Sequence, residues 1–155
     1  MTLTLRAGNP SHDCESANMA YTIRRVDYFY TTVQDEPGAA YELLTQLADL
    51  GVNLLGLSAI PMGPDATQLT LFPHDTNALT RAALNARLVL NGPHRAFLVQ
   101  GDDEMGSLAQ VLARLAEDEV NVYASYAVAD GHGHYGNIIY VRPEHHDLAA
   151  KALGI

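Results

Sequence analysis

Two short acidic stretches of this chain carry the residue types that suit binding of a small zwitterion. The first runs from Gln34 to Gly38 and the second from Asp103 to Gly106. A glycine allows a ligand to approach the backbone closely, and a free helix N-terminus offers N–H groups to a carboxylate. The carboxylates of Asp35 and Asp103 suit an ammonium group. Together these groups have the chemistry of a site for an amino acid.

An asparagine follows each acidic stretch, at Asn53 and at Asn121. Its side chain supplies both a hydrogen-bond donor and an acceptor, which suits a ligand with two kinds of polar group. A purely structural interpretation is also open. In that interpretation Asp35 and Asp103 cap helices and the two asparagines close turns.

The spacing of these residues shows that the chain contains an internal repeat. Subtracting 38 from 106 for the glycines gives 68, and subtracting 53 from 121 for the asparagines gives 68 again. Between each glycine and asparagine, apolar residues recur at intervals of three and four, which is the helical period. The chain therefore consists of two copies of one unit.

Each unit is predicted to follow the order β-α-β-β-α. The predicted strands are 28–33, 52–60 and 69–73 in copy one and 96–99, 120–128 and 138–143 in copy two. The second helices are predicted at 78–88 and 146–153. Copy one gains a fourth strand at Leu88–Leu90 before a linker, Asn91-Gly92-Pro93. The edge strand that copy two lacks is either absent or supplied by the β-prone run from Tyr21 to Val26.

The predicted fold class is α+β, with two ferredoxin-like βαββαβ units in tandem, antiparallel sheets, and helices on one face. The predicted divisions are a disordered leader at residues 1–20, a first domain at 21–91 and a second at 92–155. Pro37 suits a first helical turn. Gly51 suits a left-handed C-terminal position, where copy two carries Glu119.

Composition limits the possible partners. The formal net charge is −9, which argues against nucleic acid because its phosphates favour clustered Lys and Arg. No apolar run is long enough for a membrane span, and no signal-like N-terminal pattern is present. The single cysteine, Cys14, excludes an internal disulfide and has no neighbouring catalytic pattern. We expect a cytoplasmic protein without cofactor.

Four histidines form the strongest alternative cluster in the sequence. His132 and His134 lie in a predicted hairpin turn, whereas His145 and His146 begin a predicted helix. Imidazoles at such spacing can bind Ni, Zn or Cu. Adjacent helical residues point in different directions, so we expect no metal here.

The pattern from Pro37-Gly38 through Gly51-Val52-Asn53 resembles the ACT domain, and it recurs from Met105-Gly106 through Asn121 with methionine in place of the proline. The similarity covers about residues 24–155. It implies a regulatory module in which an effector lies near the loop between first strand and first helix. By position, the implied ligand-binding residues are Asp35, Pro37, Gly38 and Asn53 in copy one, and Asp103, Gly106 and Asn121 in copy two.

The leading functional hypothesis is a non-catalytic regulatory protein that binds a small molecule, an amino acid. It is expected to form a homodimer and to act alone or on a partner enzyme, without membrane or nucleic acid. The second hypothesis is an interaction module for an amino-acid biosynthetic enzyme, with no ligand of its own. The third is a small enzyme that depends on histidine or a metal.

Overall fold

The computed structural model describes residues 21–155. The predicted leader, with Cys14, lies outside this range. Within it, the elements are β1 (Tyr21–Gln34), α1 (Ala39–Asp49), β2 (Leu54–Pro61), β3 (Ala66–Pro73), α2 (Thr76–Ala86), β4 (Asn91–Asp102), α3 (Ser107–Glu117), β5 (Val122–Ala129), β6 (His134–Val141) and α4 (His146–Leu153). A 3-10 turn, Pro143–His145, precedes α4. No helix in the described range is long and apolar enough to cross a membrane.

The strands of the described range form one antiparallel sheet in the order β2-β3-β1-β4-β6-β5. Strands β2, β3 and β1 belong to copy one. Strands β5, β6 and β4 belong to copy two and are arranged in the same way. The fold is therefore α+β and is consistent with two ferredoxin-like units, as predicted.

The two central strands are shared between the copies. β1 pairs with β4 from Tyr21 to Tyr30 and with β3 from Phe29 to Gln34. The first half of β1, including Tyr21 to Val26, therefore lies where copy two needs its fourth strand. Asp27 pairs directly with Arg95 in this ladder, and subtracting 27 from 95 gives the repeat offset of 68. The register is thus the one that a two-fold relation between the copies requires.

The predicted strand at Leu88–Leu90 is wrong, and so is the linker that was placed after it. Helix α2 ends at Arg87, whose left-handed φ of 55° turns the chain towards the core. Leu88 and Leu90 then pack against the core beneath α1 and α2, and the strand begins only at Asn91. The boundary predicted between residues 91 and 92 lies inside β4, and the division into two domains stays a prediction.

All four helices lie on one face of the sheet, as predicted. Helices α1 and α2 cover Phe29, Leu69 and Leu71, and the copy-two helices cover Phe97 and Ile139. Successive strand residues point to opposite faces. A third apolar cluster therefore forms on the other face, which no described helix covers: Val26, Phe72, Ala96, Leu98 and Tyr140. We call this surface the open face.

Helices α1 and α3 end in the same way despite different residues. Gly51 has a φ of 76° after α1, and Glu119 has a φ of 56° at the matching position after α3. The amides of Val52 and Val120 then donate to the carbonyls of Leu47 and Leu115. The C-terminal geometry predicted for Gly51 is therefore kept in copy two, although a side chain in this conformation costs energy.

Replacing Glu119 with glycine should stabilise the protein. The left-handed conformation costs a non-glycine residue about 1–2 kcal/mol, and glycine removes this cost. Glycine also makes the unfolded chain more flexible, which lowers the free energy of unfolding by about 0.4–1 kcal/mol. We expect the free energy of unfolding to rise by about 0.5–1 kcal/mol for Glu119→Gly, measured by urea denaturation.

Asp118→Gly is the matched control, because Asp118 is the neighbouring exposed residue and has a φ of −93°. Glycine relieves no strain there, so this variant should be less stable than the parent. A Glu119→Gly protein that is no more stable than the Asp118→Gly protein would contradict the explanation.

Candidate functional site

The two predicted binding loops have the same backbone turn. The amide of Ala39 donates to the Glu36 carbonyl at 3.2 Å, and the amide of Ser107 donates to the Glu104 carbonyl at 3.1 Å. The third residue of each turn is a glycine with positive φ, 98° at Gly38 and 89° at Gly106. This is the pattern of a type II turn, in which proline favours the second position. Pro37 lies there, in the turn that precedes α1 and not in the first helical turn that the sequence suggested.

Asp35 and Asp103 do not cap the helices that follow them. The residues at the N-cap positions are Gly38 and Gly106, and neither helix receives a side-chain cap. The Asp35 carboxylate instead accepts from the Thr67 hydroxyl at 3.3 Å. The interpretation of the two acids as helix caps is therefore wrong. Neither N-cap glycine offers a side chain to the amides of the first helical turn.

The asparagines lie far from these loops. Gln34 pairs with Ala66 at the start of β3, whereas Leu54, next to Asn53, pairs with Pro73 at its end. At about 3.3 Å per residue, the eight-residue strand separates them by roughly 23 Å. Asn121 lies in the same way at the opposite end of β6 from Asp103. The reason is topological, since each helix returns the chain to the other end of the sheet.

A cavity of ≈ 530 Å³ lies on the open face. The sheet curls so strongly that a Cβ atom on Gly56 of β2 would lie 3.5 Å from the Cδ1 atom of Ile138 on β6. The outer strands β2 and β5 thereby close over β4 and β6. We call this space the large cavity; its lining includes Leu55, Gly56, Ser58, Leu98, Gln100, Tyr126, Val128, Asp130, His134, Gly136 and Ile138.

The two-fold relation gives the large cavity a smaller counterpart of ≈ 190 Å³. Three residues of its lining correspond to residues of the large cavity at the repeat offset of 68. These pairs are Tyr30 and Leu98, Gln68 and Gly136, and Thr70 and Ile138. Tyr30 and Gln68 are larger than Leu98 and Gly136 and narrow the small cavity, whereas the third pair, Thr70 and Ile138, differs in the opposite direction. The difference in volume thus follows from substitutions between the copies.

Tyrosines pack together in and around this small cavity. The rings of Tyr28 and Tyr140 meet edge to face at 5.3 Å, and Tyr126 meets Tyr140 at 5.9 Å. Burial raises the pKa of the Tyr28 and Tyr140 phenols above its ordinary value. They are therefore neutral at physiological pH and act as packing groups. The tyrosine rings leave a cavity of only ≈ 190 Å³ in this part of the open face.

Polar groups line one end of the large cavity. The His134 Nδ1 atom lies 3.4 Å from an Asp130 oxygen, and its Nε2 atom lies 3.9 Å from an Asp102 oxygen. Backbone amides of His132 and His134 donate to Asp130 and hold the pKa of its carboxyl below the usual value. The charge on Asp130 is therefore available to a cation at neutral pH.

Two further polar groups face this space. The Gln100 carboxamide oxygen accepts from Arg24 Nη2 at 3.4 Å. The Ser58 hydroxyl oxygen is buried and has no hydrogen-bond partner among the described residues. A buried hydroxyl without a partner costs stability, so a ligand group that bonds to it gains affinity.

Of the two predicted loops, the second lies closer to this site. The Asp103 amide donates to the Gly133 carbonyl at 2.8 Å, and Gly133 is next to His134 of the cavity lining. The Asp35 amide makes the equivalent bond to Asp65 in copy one. Asp103 is therefore joined by its backbone to the turn that precedes His134, while the first loop lies at the other end of the sheet.

Sequence reasoning missed the cavity residues themselves. Gly136 falls in the gap between the predicted strands 120–128 and 138–143, and Leu98 falls within the predicted strand 96–99. A position-by-position comparison of the copies contains the signal, because Gly136 replaces Gln68 within a strand. That signal becomes meaningful only when the curl of the sheet is known.

The four histidines do not come together. His134 begins β6, whereas His145 and His146 follow its far end. Within residues 21–155, no group of three or more His, Cys, Asp or Glu side chains is arranged to hold a metal ion.

No protein-family model and no curated protein matches the sequence. Solved structures with a similar fold include a protein from Bacteroides thetaiotaomicron, at 18% identity and a TM-score of 0.71, covering 84% of this chain and 88% of that one. The ligand-free regulatory subunit of aspartate kinase from Thermus thermophilus matches at 16% identity and a TM-score of 0.57, with coverage of 86% and 93%. The corresponding subunit from Thermus flavus matches at 16% identity and a TM-score of 0.57, with coverage of 87% and 94%. At these identities the similarity shows the fold alone.

The shared turn predicts the effect of a proline in the second loop. Met105 occupies the position of Pro37 and is fully exposed. Met105→Pro should raise the free energy of unfolding by about 0.4–1 kcal/mol, because proline restricts the unfolded chain and suits this turn position. Urea denaturation measures the change. The reciprocal variant, Pro37→Ala, should lose a similar amount, and a destabilised Met105→Pro protein would show that the two turns differ.

Proposed function

We propose that this chain is a non-catalytic regulatory protein that binds an amino acid in the large cavity. The observation that carries the proposal is the contrast between two spaces related by the repeat. One is lined largely by tyrosines and has a volume of only ≈ 190 Å³, and the other is a cavity of ≈ 530 Å³ with polar groups at one end. Ligand sites of proteins are typically concave, mostly apolar spaces of about 300–1,000 Å³ with a few placed polar groups.

The lining favours an amino acid with an apolar side chain. Leu55, Leu98 and Ile138 supply apolar walls. Burying an aliphatic side chain against such walls contributes about 1.5–3 kcal/mol. The wall residues offer no charge to a polar side chain, so aliphatic and aromatic amino acids should bind in preference to charged ones.

The polar end supplies partners for the two charges of the amino acid. The carboxylates of Asp130 and Asp102 suit the α-ammonium group, since charge-assisted hydrogen bonds are the stronger kind. The Gln100 carboxamide and the Ser58 hydroxyl can donate to the α-carboxylate. We propose that the loop at Asp103 and Gly106 borders this end. Roles for Asp35, Pro37, Gly38, Asn53 and Asn121 stay predictions.

The comparisons support a regulatory role for this fold. Two of the similar structures are described as regulatory subunits of aspartate kinase. This chain matches nearly the whole of each, at 93% and 94% of their lengths. We therefore extend a regulatory role to this chain as part of the proposal.

One observation favours the interaction-module hypothesis as the second candidate. Apolar side chains near the large cavity are exposed, with Val128 at 74%, Tyr126 at 48% and Leu57 at 44% of their surface. A partner protein or a second copy would bury them. In that case the cavity is part of a protein interface, and free amino acids do not bind.

A thermal-shift panel of the twenty amino acids on the full chain tests the proposal. A ligand at one hundred times its Kd stabilises the folded state by about 2.7 kcal/mol, which raises the Tm of a chain of this size by roughly 5–11 °C. We expect such a rise for one or more aliphatic or aromatic amino acids. Glutamate and lysine should give none.

Gly136→Gln is the variant that closes the site, because it gives the large cavity the side chain of its smaller counterpart. A Cβ atom on Gly136 has no other heavy atom within 4 Å, so the protein should fold normally. The ligand-induced rise should disappear in this variant. Gln68→Gly is the matched control and should keep it. An unchanged rise in the Gly136→Gln protein places the ligand elsewhere, and a panel without any rise favours the interaction module.

A further inference from the structure

Two more cavities lie beside the central strands β1 and β4, where these strands extend beyond the ends of β3 and β6. One of ≈ 340 Å³ borders β1 beyond the end of β3, and one of ≈ 290 Å³ borders β4 beyond the end of β6. They are related by the repeat, since Leu55 and Pro73 of the first correspond to Tyr123 and Val141 of the second. Arg95 lines both cavities. We call the two together the basic cleft.

The charge of the basic cleft is opposite to that of the chain. The chain carries 9 Lys and Arg residues against 18 Asp and Glu, yet Arg24, Arg25 and Arg95 all line the ≈ 340 Å³ cavity. Asp27 is the one carboxylate in that lining, and it accepts from the Thr76 hydroxyl at 2.8 Å. Three cations against one anion leave a local excess of positive charge.

The guanidinium groups of Arg25 and Arg95 have no partner among the described residues. Within residues 21–155, neither Arg25 nor Arg95 makes an ion pair or a side-chain hydrogen bond, although the register sets Arg95 opposite Asp27. Guanidinium groups bind carboxylates and phosphates well because their planar donors match two oxygens at once. Their free donors are therefore suited to an external anion.

A buried histidine in the second cavity points to the same class of ligand. The His146 side chain is 4% exposed and stacks on Phe97 at a centroid distance of 4.4 Å. Neither ring nitrogen has a partner among the described residues. Burial, with Arg95 and Arg25, lowers the pKa of His146, so the ring is neutral and keeps one N–H donor. Leaving that donor unpaired costs stability that an acceptor would recover.

We propose that the basic cleft binds a small molecule that carries two or more negative charges, as carboxylates or as phosphate. Arg25 and Arg95 pair with its anionic oxygens, and His146 donates to one of them. The net charge of −9 repels an extended polyanion, which favours a small anion over nucleic acid. This site is separate from the large cavity and does not depend on the amino-acid proposal.

Citrate and inorganic phosphate are the probes for this site. The full chain is titrated with each by calorimetry and by thermal shift, against sodium chloride at matched ionic strength. At one hundred times its Kd a probe should raise the Tm by roughly 5–11 °C above the chloride control. Binding of citrate alone identifies a polycarboxylate ligand, and binding of phosphate alone identifies a phosphate compound. Binding of both probes indicates a site that accepts carboxylates and phosphate alike.

Arg95→Gln should weaken the binding of the probe at least tenfold, since it removes the charge and keeps most of the length of the side chain. Arg25→Gln, at an exposed position, should also weaken the binding of the probe. If Arg95→Gln lowers the Tm of the free protein, the Arg25→Gln protein serves as the test of the site instead. Arg81→Gln is the matched control, because Arg81 is exposed on α2 and lines neither cavity.

His146→Leu tests the third contact, because leucine keeps the packing on Phe97 and removes both nitrogens. It should weaken binding less than Arg95→Gln but measurably. The proposal is overturned if neither probe raises the Tm beyond the chloride control, or if Arg95→Gln and Arg25→Gln bind the probe as the parent does. The Gly136→Gln protein should still bind it, which keeps the two sites distinguishable.

Discussion

The antiparallel pairing of β1 with β4 is the interaction on which the rest of the structure depends. Each of these strands pairs both with a strand of its own repeat, β1 with β3 and β4 with β6, and with the central strand of the other repeat. Without β4, the edge of β1 would lose its partner from Tyr21 to Tyr30, and an unpaired edge invites association with other chains. A unit of about 65 residues is also near the lower limit of independent stability. Sharing the central strands gives both units one larger sheet.

The same register explains how two copies of one pattern came to form different surfaces. Because Asp27 and Arg95 pair at the centre, every lining residue of one copy has a counterpart at an offset of 68. Geometry alone would then give equal cavities. The inequality comes from side-chain volume, with Tyr30 and Gln68 on one side facing Leu98 and Gly136 on the other. The difference between the two cavities is therefore linked to side chains at matching positions of the two copies.

Local sequence patterns predicted the elements well where local energetics decide the conformation. Helix α4 has the predicted bounds of His146 to Leu153, and the turn glycines Gly38 and Gly106 stand where backbone freedom is required. The strand predicted at Leu88–Leu90 is absent because the chain turns at Arg87 and packs Leu88 and Leu90 against the core. The β propensity of a leucine and valine run could not show that turn.

The site was less predictable because it depends on long-range geometry. Loop chemistry suggested that Asn53 and the Asp35 loop act together, but helix α1 carries the chain to the other end of the sheet. The large cavity exists because the sheet curls until β2 approaches β6, a contact between residues such as Gly56 and Ile138 that lie far apart in sequence. Sheet curvature is a collective property of all the strands. A single-sequence pattern does not contain it.

Side chains alternate between the two faces of the sheet along β1 and β4, so these two strands together contribute residues to both proposed sites. Leu98 and Gln100 of β4 face the large cavity, while Arg95 faces the basic cleft. Arg24 connects them, because it lines the cleft and donates to the Gln100 oxygen at 3.4 Å. An anion that draws the Arg24 guanidinium towards itself would free the Gln100 carboxamide to turn. Such an effect between binding sites is reciprocal in free energy. The hydrogen bond between Arg24 and Gln100 thus joins a residue in the lining of one proposed site to a residue in the lining of the other.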